Sequence, residues 1–193
     1  CVGNIYSQFD AVFGAACMSL VLADHSAQNI DTVEPGCCIV GGGPAGVILA
    51  YLLARKGVSV TLLELHEDFD RDFRGDTIHP SVMQILEEVG LADRLLQLPH
   101  TKISTFTVQT PQGPVIGADL SRLKTKYPYI MMLPQVRFLE FMTAEAAKFP
   151  HFKLVMGANV QELVRDGDKV CGVRYHKKDG FHEVRAQLTV AAD

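Results

Sequence analysis

The fold is decided by the stretch CCIVGGGPAGVILAYLLARKGVSVTLLEL, residues 37–65. It opens with four apolar residues, passes through a cluster of glycines, and continues as a segment rich in good helix formers. The segment ends in two basic residues and a glycine, which is the usual composition of a helix C-terminus: Arg55, Lys56 and Gly57. A second apolar run follows. The pattern predicts a buried strand at 37–40, a helix at 44–56 and a second strand at 58–65.

Three glycines form a G-x-G-x-x-G motif between the first predicted strand and the predicted helix: Gly41, Gly43 and Gly46. In that context the first glycine permits a tight turn, the second a close approach to a pyrophosphate, and the third close helix packing. Pro44 suits the first helical turn, where its missing N–H would have no partner. Because a helix N-terminus attracts phosphate, Pro44 and Ala45 are assigned with the glycines to cofactor binding.

The second predicted strand ends in an acid, Glu64. A carboxylate at this point accepts hydrogen bonds from an adenosine ribose, and it would repel the 2′-phosphate of NADP. The alternative is a glycine-rich turn with an exposed acid at a strand end. The residues therefore predict a dinucleotide site, and on these residues alone both FAD and NAD remain open.

The rest of the chain predicts an α/β protein with a parallel sheet, since strands and helices alternate at the start. Helices are expected at 80–89, 92–98 and 135–149. Strands are expected at 103–109, 114–118, 129–133, 152–156, 160–165, 169–176, 181–186 and 188–192. The clustered strands from 160 to 186 are expected to form an antiparallel meander, and residues 35–193 are expected to be one cofactor-binding domain that includes the start of the substrate-domain strands.

Composition limits the classes of partner. The net charge is −4, and the sequence has no run of like charges. It therefore shows none of the basic clusters that indicate binding to nucleic acid or to an acidic membrane surface. The apolar segment at 11–23 is too short to span a bilayer, so stable membrane insertion is not expected, and 1–34 is treated as an extension of uncertain structure. Five cysteines without a C-x-x-C or zinc-type spacing predict reduced thiols in the cytoplasm and no metal site.

Several motifs resemble one family in its own order: VGGGPAG, FRGDTIHPSVMQILEEVGL, LPQVRFLEFM, VCGVRYHKKDG and LTVAAD. Together they resemble the FAD-dependent monooxygenases of the para-hydroxybenzoate hydroxylase type, from about Pro35 to the last residue. The resemblance implies a Rossmann-like FAD-binding domain with a parallel sheet and an antiparallel meander. The family's later G-D motif and most of its substrate-binding sheet are not present, so the domain is expected to be incomplete at its C-terminus.

The resemblance carries roles to individual positions. Glu64 corresponds to the ribose-binding acid, Arg74 to an arginine that lies along the FAD, and Gln135 to a residue that reaches the flavin's linker. Asp193 corresponds to the first acid of a G-A-D-G motif near the FAD. As alternatives, Arg74 would pair with a neighbouring aspartate and Gln135 would only begin a helix, while His79 is expected to cap a helix rather than act as a catalytic base.

The resemblance also implies an activity. In the family, NADH or NADPH reduces FAD, and the reduced flavin reacts with O2 to give a flavin hydroperoxide that hydroxylates an aromatic or related small molecule. No catalytic residue is identified in this chain, and a homodimer is left open. The alternatives are another FAD-dependent reductase on this fold, or a non-catalytic fragment that binds FAD weakly or not at all. A halogenase is disfavoured because the chain has no tryptophan.

Overall fold

The structure, a computed structural model, describes residues 35–70 and 75–192. The predictions made for residues 1–34, Arg74 and Asp193 lie outside the described residues. The helices are α1 (Pro44–Arg55), α2 (Pro80–Glu88), α3 (Ala92–Leu95) and α4 (Gln135–Ala146), with one 3-10 turn at Leu120–Arg122. The strands are β1 (Cys37–Val40), β2 (Val60–Leu63), β3 (Thr77–Ile78), β4 (Thr101–Ile103), β5 (Thr105–Thr110), β6 (Gly113–Asp119), β7 (Ile130–Met132), β8 (Phe152–Val155), β9 (Asn159–Asp166), β10 (Lys169–Lys177), β11 (Gly180–Arg185) and β12 (Leu188–Ala191).

A four-stranded parallel sheet in the order β12-β1-β2-β8 forms the centre of the domain. β1 lies between β12 and β2, with Cys37 opposite Leu188 on one side and Val60 on the other. All four residues of β2 are buried, as expected for a strand covered on both faces. The predicted parallel sheet and the predicted α/β class are confirmed.

The two faces of this sheet carry different layers. Helices α1 to α4 pack on one face around a core that includes Ile39, Leu62 and Met142. The antiparallel meander β9-β10-β11, which was predicted from sequence, supplies Val173 and Val184 to a second core on the other face. The domain is therefore built as helices, parallel sheet and meander in three layers.

Adjacent cysteines in β1 show how a single strand serves both cores. Successive side chains of a strand point to opposite faces, so Cys37 joins the core under the helices and Cys38 joins the core under the meander. Both thiols are free and buried, and burial raises the pKa of the Cys38 thiol to about 12. These cysteines are packing residues rather than reactive ones.

The ends of α1 follow from sequence. Pro44 occupies its first turn, where the missing N–H costs nothing, and Gly57 follows its C-terminus with a φ of 82°. The carbonyl oxygen of Ala54, in the last turn of the helix, accepts from the Gly57 N–H over 2.9 Å and from the side chain of His151 over 2.6 Å. α1 is thus fixed at both ends beneath the sheet.

Two smaller sheets extend from this body. β7 lies between β3 and β4 in an antiparallel sheet, and β5 pairs with β6 in a two-stranded hairpin. The hairpin exposes large apolar side chains, among them Val108, Val115 and Ile116. No helix within residues 35–70 and 75–192 is long and apolar enough to cross a membrane.

Some predicted boundaries were wrong. α4 ends at Ala146 instead of reaching Phe149, because a turn in which the Phe149 N–H bonds to the Ala146 carbonyl leads into β8. The second strand is limited to the four residues that pair with both neighbours, so Glu64 lies just beyond it. The two-residue strand β3 and the 3-10 turn were not predicted, since segments this short carry no periodic pattern.

The expected capping role of His79 was also wrong. This residue stands at the N-cap of α2, but its side chain makes no capping hydrogen bond. Only its backbone carbonyl takes part, accepting from the N–H groups of Val82 and Met83. Imidazole is not among the preferred N-cap side chains, which are short and carry an oxygen acceptor.

Candidate dinucleotide-binding site

The turn between β1 and α1 depends on two glycines. Gly41 adopts a φ of 109°, a left-handed conformation that glycine tolerates, and its N–H donates to the Leu63 carbonyl over 2.8 Å. A Cβ added to Gly46 would lie 1.9 Å from the carbonyl oxygen of Gly41, which no real contact allows. The helix can start this close to the strand only because Gly46 has no side chain.

The N-terminus of α1 is open to an anion. Gly43 is its N-cap and supplies no side-chain cap, no acidic residue lies in the first turn, and Pro44 and Ala45 are exposed. A Cβ placed on Gly43 would meet nothing within 4 Å, so there is free space beside the turn. The unpaired N–H groups and the dipole of a helix N-terminus favour negative charge, so this space suits a phosphate group.

The carboxylate of Glu64 is buried, with a relative exposure of 3%, and it is tied to the glycine turn. Its Oε2 accepts from the N–H of Gly42 over 2.8 Å. Its Oε1 accepts from the N–H of His66 over 2.9 Å and lies 2.8 Å from Nδ1 of the same residue. The acid at the end of the second strand is therefore held beside the loop that would take a pyrophosphate.

Gly42 and His66 are the two site residues that the sequence analysis missed. A Cβ on Gly42 would lie 2.7 Å from Oε2 of Glu64, so this glycine lets the carboxylate approach the loop. Both residues stand out in the sequence: Gly42 is the middle glycine of GGG, and His66 lies two positions after Glu64. Neither position belongs to the motif, and only the folded chain shows that both contact Glu64.

Gln135 reaches the same region from far along the chain. Its N–H donates to Oδ1 of Asp76 over 3.0 Å, and the N–H of Leu133 donates to the Asp76 carbonyl over 2.9 Å. A cavity of about 80 Å³ opens there, and it is lined by Pro44, Ile48, Gly75, Thr77, Ile78, Val82, Leu133, Gln135 and Phe138. Gln135 and the first turn of α1 therefore share one cavity.

Most of the predicted site residues are thus brought together. The turn and the first helical turn gather Gly41, Gly43, Pro44, Ala45 and Gly46; Glu64 lies beside them, and Gln135 lies across the cavity. Arg74 and Asp193 are outside the described residues. No group of three or more metal-ligating side chains is found within the part of the chain that the structure describes.

Comparison with known proteins identifies the family. A family model described as the FAD binding domain matches residues 35–193. The chain belongs to this family. The FAD binding domain takes FAD as its cofactor, and the residues present fit that group: an open glycine turn, an uncapped helix N-terminus and a buried acid at the strand end.

Curated relatives match most of this FAD binding domain. The 6-methylpretetramide 4-monooxygenase of Streptomyces rimosus is 30% identical over 172 residues, which are 89% of this chain and 41% of that protein. The rifampicin monooxygenase of Streptomyces venezuelae is 31% identical over 157 residues, which are 80% of this chain and 31% of that protein. The chain therefore spans less than half the length of these relatives.

A solved structure shows the same fold. The crystal structure of p-nitrophenol 4-monooxygenase from Pseudomonas putida superposes with a TM-score of 0.73 at 27% sequence identity. The matched region covers 85% of this chain and 42% of that one. The FAD binding domain described here therefore has the architecture of an experimentally determined flavoprotein monooxygenase.

Proposed function

We propose that the chain supplies the FAD-binding part of a flavin-dependent monooxygenase that hydroxylates an aromatic or related small molecule. NADH or NADPH and O2 would be the co-substrates. The observation that carries the proposal is the Gly42–Glu64 contact, which holds a carboxylate beside an open helix N-terminus in a chain of this family, where it would be able to accept from a ribose. The named monooxygenase relatives support the class of reaction.

The proposal assigns a part to each group of residues. Gly41, Gly43 and Gly46 would shape the loop around the pyrophosphate, and the first turn of α1 would direct its N–H groups at the phosphate oxygens. Glu64 would accept from the adenosine ribose. When bound, FAD would supply the redox and oxygen chemistry, and the protein's part would be to bind and orient it.

Three further assignments complete the proposal. Gln135 would approach the middle of the cofactor from the cavity that it shares with Pro44. Arg74 and Asp193 would contact the FAD as the family resemblance implies. The domain would extend over residues 35–193, with 1–34 as a separate extension, and a cytoplasmic location and a homodimer stay predictions.

The proposal is tested by titrating FAD into the purified 193-residue chain and recording the flavin absorbance spectrum. Gly43→Asp is the matched control, because aspartate is a good N-cap and has room there but would place a negative charge where the pyrophosphate should lie. Saturable spectral change in the wild type and not in the variant is expected. No change with the wild type would contradict FAD binding by this chain.

The reaction is tested separately from binding. NADH- and NADPH-dependent O2 uptake is measured over a panel of phenols, with product formation followed by mass spectrometry. A product that carries one oxygen from O2 is the expected result. Oxidation of NAD(P)H without any oxygenated product would argue for a reductase.

A further inference from the structure

Two chain segments supply most of the wall of the cavity beside Gln135. Their lining residues are Gly75, Thr77 and Ile78 on the first segment and Leu133, Gln135 and Phe138 on the second. The strands of these segments, β3 and β7, pair antiparallel, with Thr77 opposite Met132. Backbone hydrogen bonds of the strand ladder therefore join the two segments along β3 and β7.

The ladder between the two segments cannot continue through Pro134. It reaches one residue beyond the paired strands, where the Leu133 N–H donates to the Asp76 carbonyl over 2.9 Å. Pro134 follows, and proline has no N–H to donate. Gln135 comes next as the first residue of α4, so it lies beyond the pairing of the two strands.

The carboxylate of Asp76 spans this gap. Its Oδ1 accepts from the Gln135 N–H over 3.0 Å, so Asp76 contacts the second segment on both sides of Pro134. Pro134 is the N-cap of α4 and supplies no side-chain cap, and the first turn of this helix contains no acidic residue. Asp76 therefore acts from a distant segment as a capping aspartate acts locally, because it accepts from a helix N-terminal N–H and places negative charge there.

The Asp76 contact concerns the start of α4 and not the attachment of the whole helix. Asp76 is exposed, whereas Phe138, Leu139 and Met142 bury the inner face of α4 in the core. Loss of the contact should therefore leave the helix in place and allow its first turn to fray, since helix ends are the part that frays. The first turn is the part of α4 that carries Gln135 into the cavity wall.

We propose that Asp76 is a positioning residue for the cofactor: its hydrogen bond fixes the first turn of α4 and thereby the place of Gln135 in the cavity wall. Asp76 would act on FAD through Gln135. This inference rests on the proposed function, since it takes Gln135 as the residue that approaches the middle of FAD.

The test compares the affinities of the full chain for FAD and for ADP by titration calorimetry. Asp76→Ala is expected to bind FAD roughly three- to tenfold more weakly than the wild type, the range expected for the loss of a helix-capping contact. Its ADP affinity is expected to equal that of the wild type, because ADP lacks the part of FAD that Gln135 would approach. A general loss of folded protein would weaken both ligands alike.

A conservative variant and a double variant separate positioning from other effects. Asp76→Asn keeps an oxygen acceptor for the Gln135 N–H and is expected to bind FAD as the wild type does. Gln135→Ala is expected to weaken FAD binding. Adding Asp76→Ala to Gln135→Ala should cause no further loss, because the side chain that Asp76 positions is already absent.

Asp119→Ala is the matched control. Asp119 is also an exposed aspartate that caps a helical turn, since its Oδ1 accepts from the Ser121 N–H over 3.0 Å at the 3-10 turn. Neither Asp119 nor Ser121 lines the cavity, so this variant is expected to bind FAD and ADP as the wild type does. Circular dichroism checks that each variant is folded.

Several results would overturn the inference and leave the proposed function in place. These are equal FAD affinities for the wild type and Asp76→Ala, equal weakening of FAD and ADP, an equal loss in Asp76→Asn or Asp119→Ala, and additive losses in the double variant. Absence of FAD binding to the wild type would overturn the proposed function together with the inference.

Discussion

At the scale of single residues, the glycines of the turn meet different physical requirements. Gly41 needs a positive φ, Gly42 needs space for the Glu64 carboxylate, and Gly46 needs space for the carbonyl of Gly41. Gly43 needs none of these for the fold, because a Cβ there would meet nothing. Folding and binding can therefore be separated by substituting different glycines.

Gly46→Ala is expected to reduce the free energy of unfolding by at least about 3 kcal/mol, at the upper end of overpacking costs. The added Cβ would lie 1.9 Å from a backbone oxygen, which cannot move aside without breaking the start of α1. Urea unfolding followed by circular dichroism measures the change. A loss below about 0.5 kcal/mol would show that the turn relaxes easily.

Gly43→Asp is the counterpart of Gly46→Ala, because it is expected to impair binding and not stability. Its φ of −72° and extended ψ suit an N-cap aspartate, so the free energy of unfolding should be kept or slightly raised. FAD and ADP affinity should fall by at least about tenfold, since the carboxylate would occupy and repel the phosphate position. Unfolding and calorimetric titration of the same sample test both halves, and unchanged affinity would contradict the pyrophosphate assignment.

Glu64 is expected to determine which adenosine ribose the site accepts. Glu64→Gln removes the negative charge while it keeps an acceptor for the Gly42 N–H. The preference for ADP over its 2′-phosphorylated form should fall by at least about tenfold, because the repulsion of the phosphate is lost. Competition titrations with the two ligands measure the ratio, and a ratio that does not change would argue against contact with the 2′ position.

At the scale of elements, α3 and α4 are joined by a buried acid. The side chain of Glu145 on α4 is 7% exposed; it contacts Arg94 on α3 and accepts from Lys148 over 2.8 Å. Burial opposes its charge, but the hydrogen bonds from Lys148 and Arg94 outweigh burial and hold the pKa of the Glu145 carboxyl below its ordinary value. The Arg94–Glu145 ion pair holds the short helix α3 against α4.

The lowered pKa gives this contact a defined pH dependence. A carboxyl with a lower pKa in the folded state stabilises the protein above its unfolded pKa of 4.5, and that contribution is lost as pH falls through the folded value. Glu145→Gln should cost about 1–3 kcal/mol at pH 7. The difference from the wild type should shrink below pH 4.5, and urea unfolding at several pH values measures it.

At pH 7 the matched control is Glu140→Gln on the same helix. Glu140 and its partner Arg137 are both exposed, 51% and 66% as side chains, so their contact is screened by water. This variant should change the free energy of unfolding by less than about 0.5 kcal/mol. Equal losses of unfolding free energy for Glu145→Gln and Glu140→Gln would show that the burial of Glu145 does not determine its contribution to stability.

At the scale of the whole molecule, the proposed roles of the described site residues concern the adenosine diphosphate half of the cofactor. In the proposed assignment the turn, the N-terminus of α1 and Glu64 would all contact phosphate or ribose, whereas the cavity beside Gln135 measures about 80 Å³. Pockets that enclose a drug-sized ligand are several times larger, typically about 300–1,000 Å³. The cavity beside Gln135 is therefore too small to enclose a flavin ring by itself.

The 193-residue chain is accordingly expected to bind ADP and FAD with affinities within about a factor of ten of each other. Calorimetric titration of one preparation with both ligands measures the ratio. Riboflavin, which lacks the adenosine diphosphate group, is the control ligand and is expected to bind far more weakly. FAD binding about a hundredfold tighter than ADP would show that this chain also holds the flavin ring.

The sequence by itself determined the central part of the fold. The run of buried apolar residues, the glycine turn and the helix that follows specify β1, α1 and β2, since strand burial, positive φ and helix ends are local properties. The meander was equally predictable, because turn residues separate its alternating strands. Gly41, Gly46 and Glu64 were found as candidates because they occupy fixed places in the local pattern of strand, glycine turn, helix and strand.

Only the tertiary structure decided how distant groups meet at the site. The Gly42–Glu64 contact depends on the parallel pairing of β1 with β2, and the approach of Gln135 to the first turn of α1 depends on the position of Asp76. No local pattern encodes such contacts, because the hydrogen bonds form between segments that the sheet brings together. The acid was visible in the sequence, whereas its contact with the glycine turn was visible only in the fold.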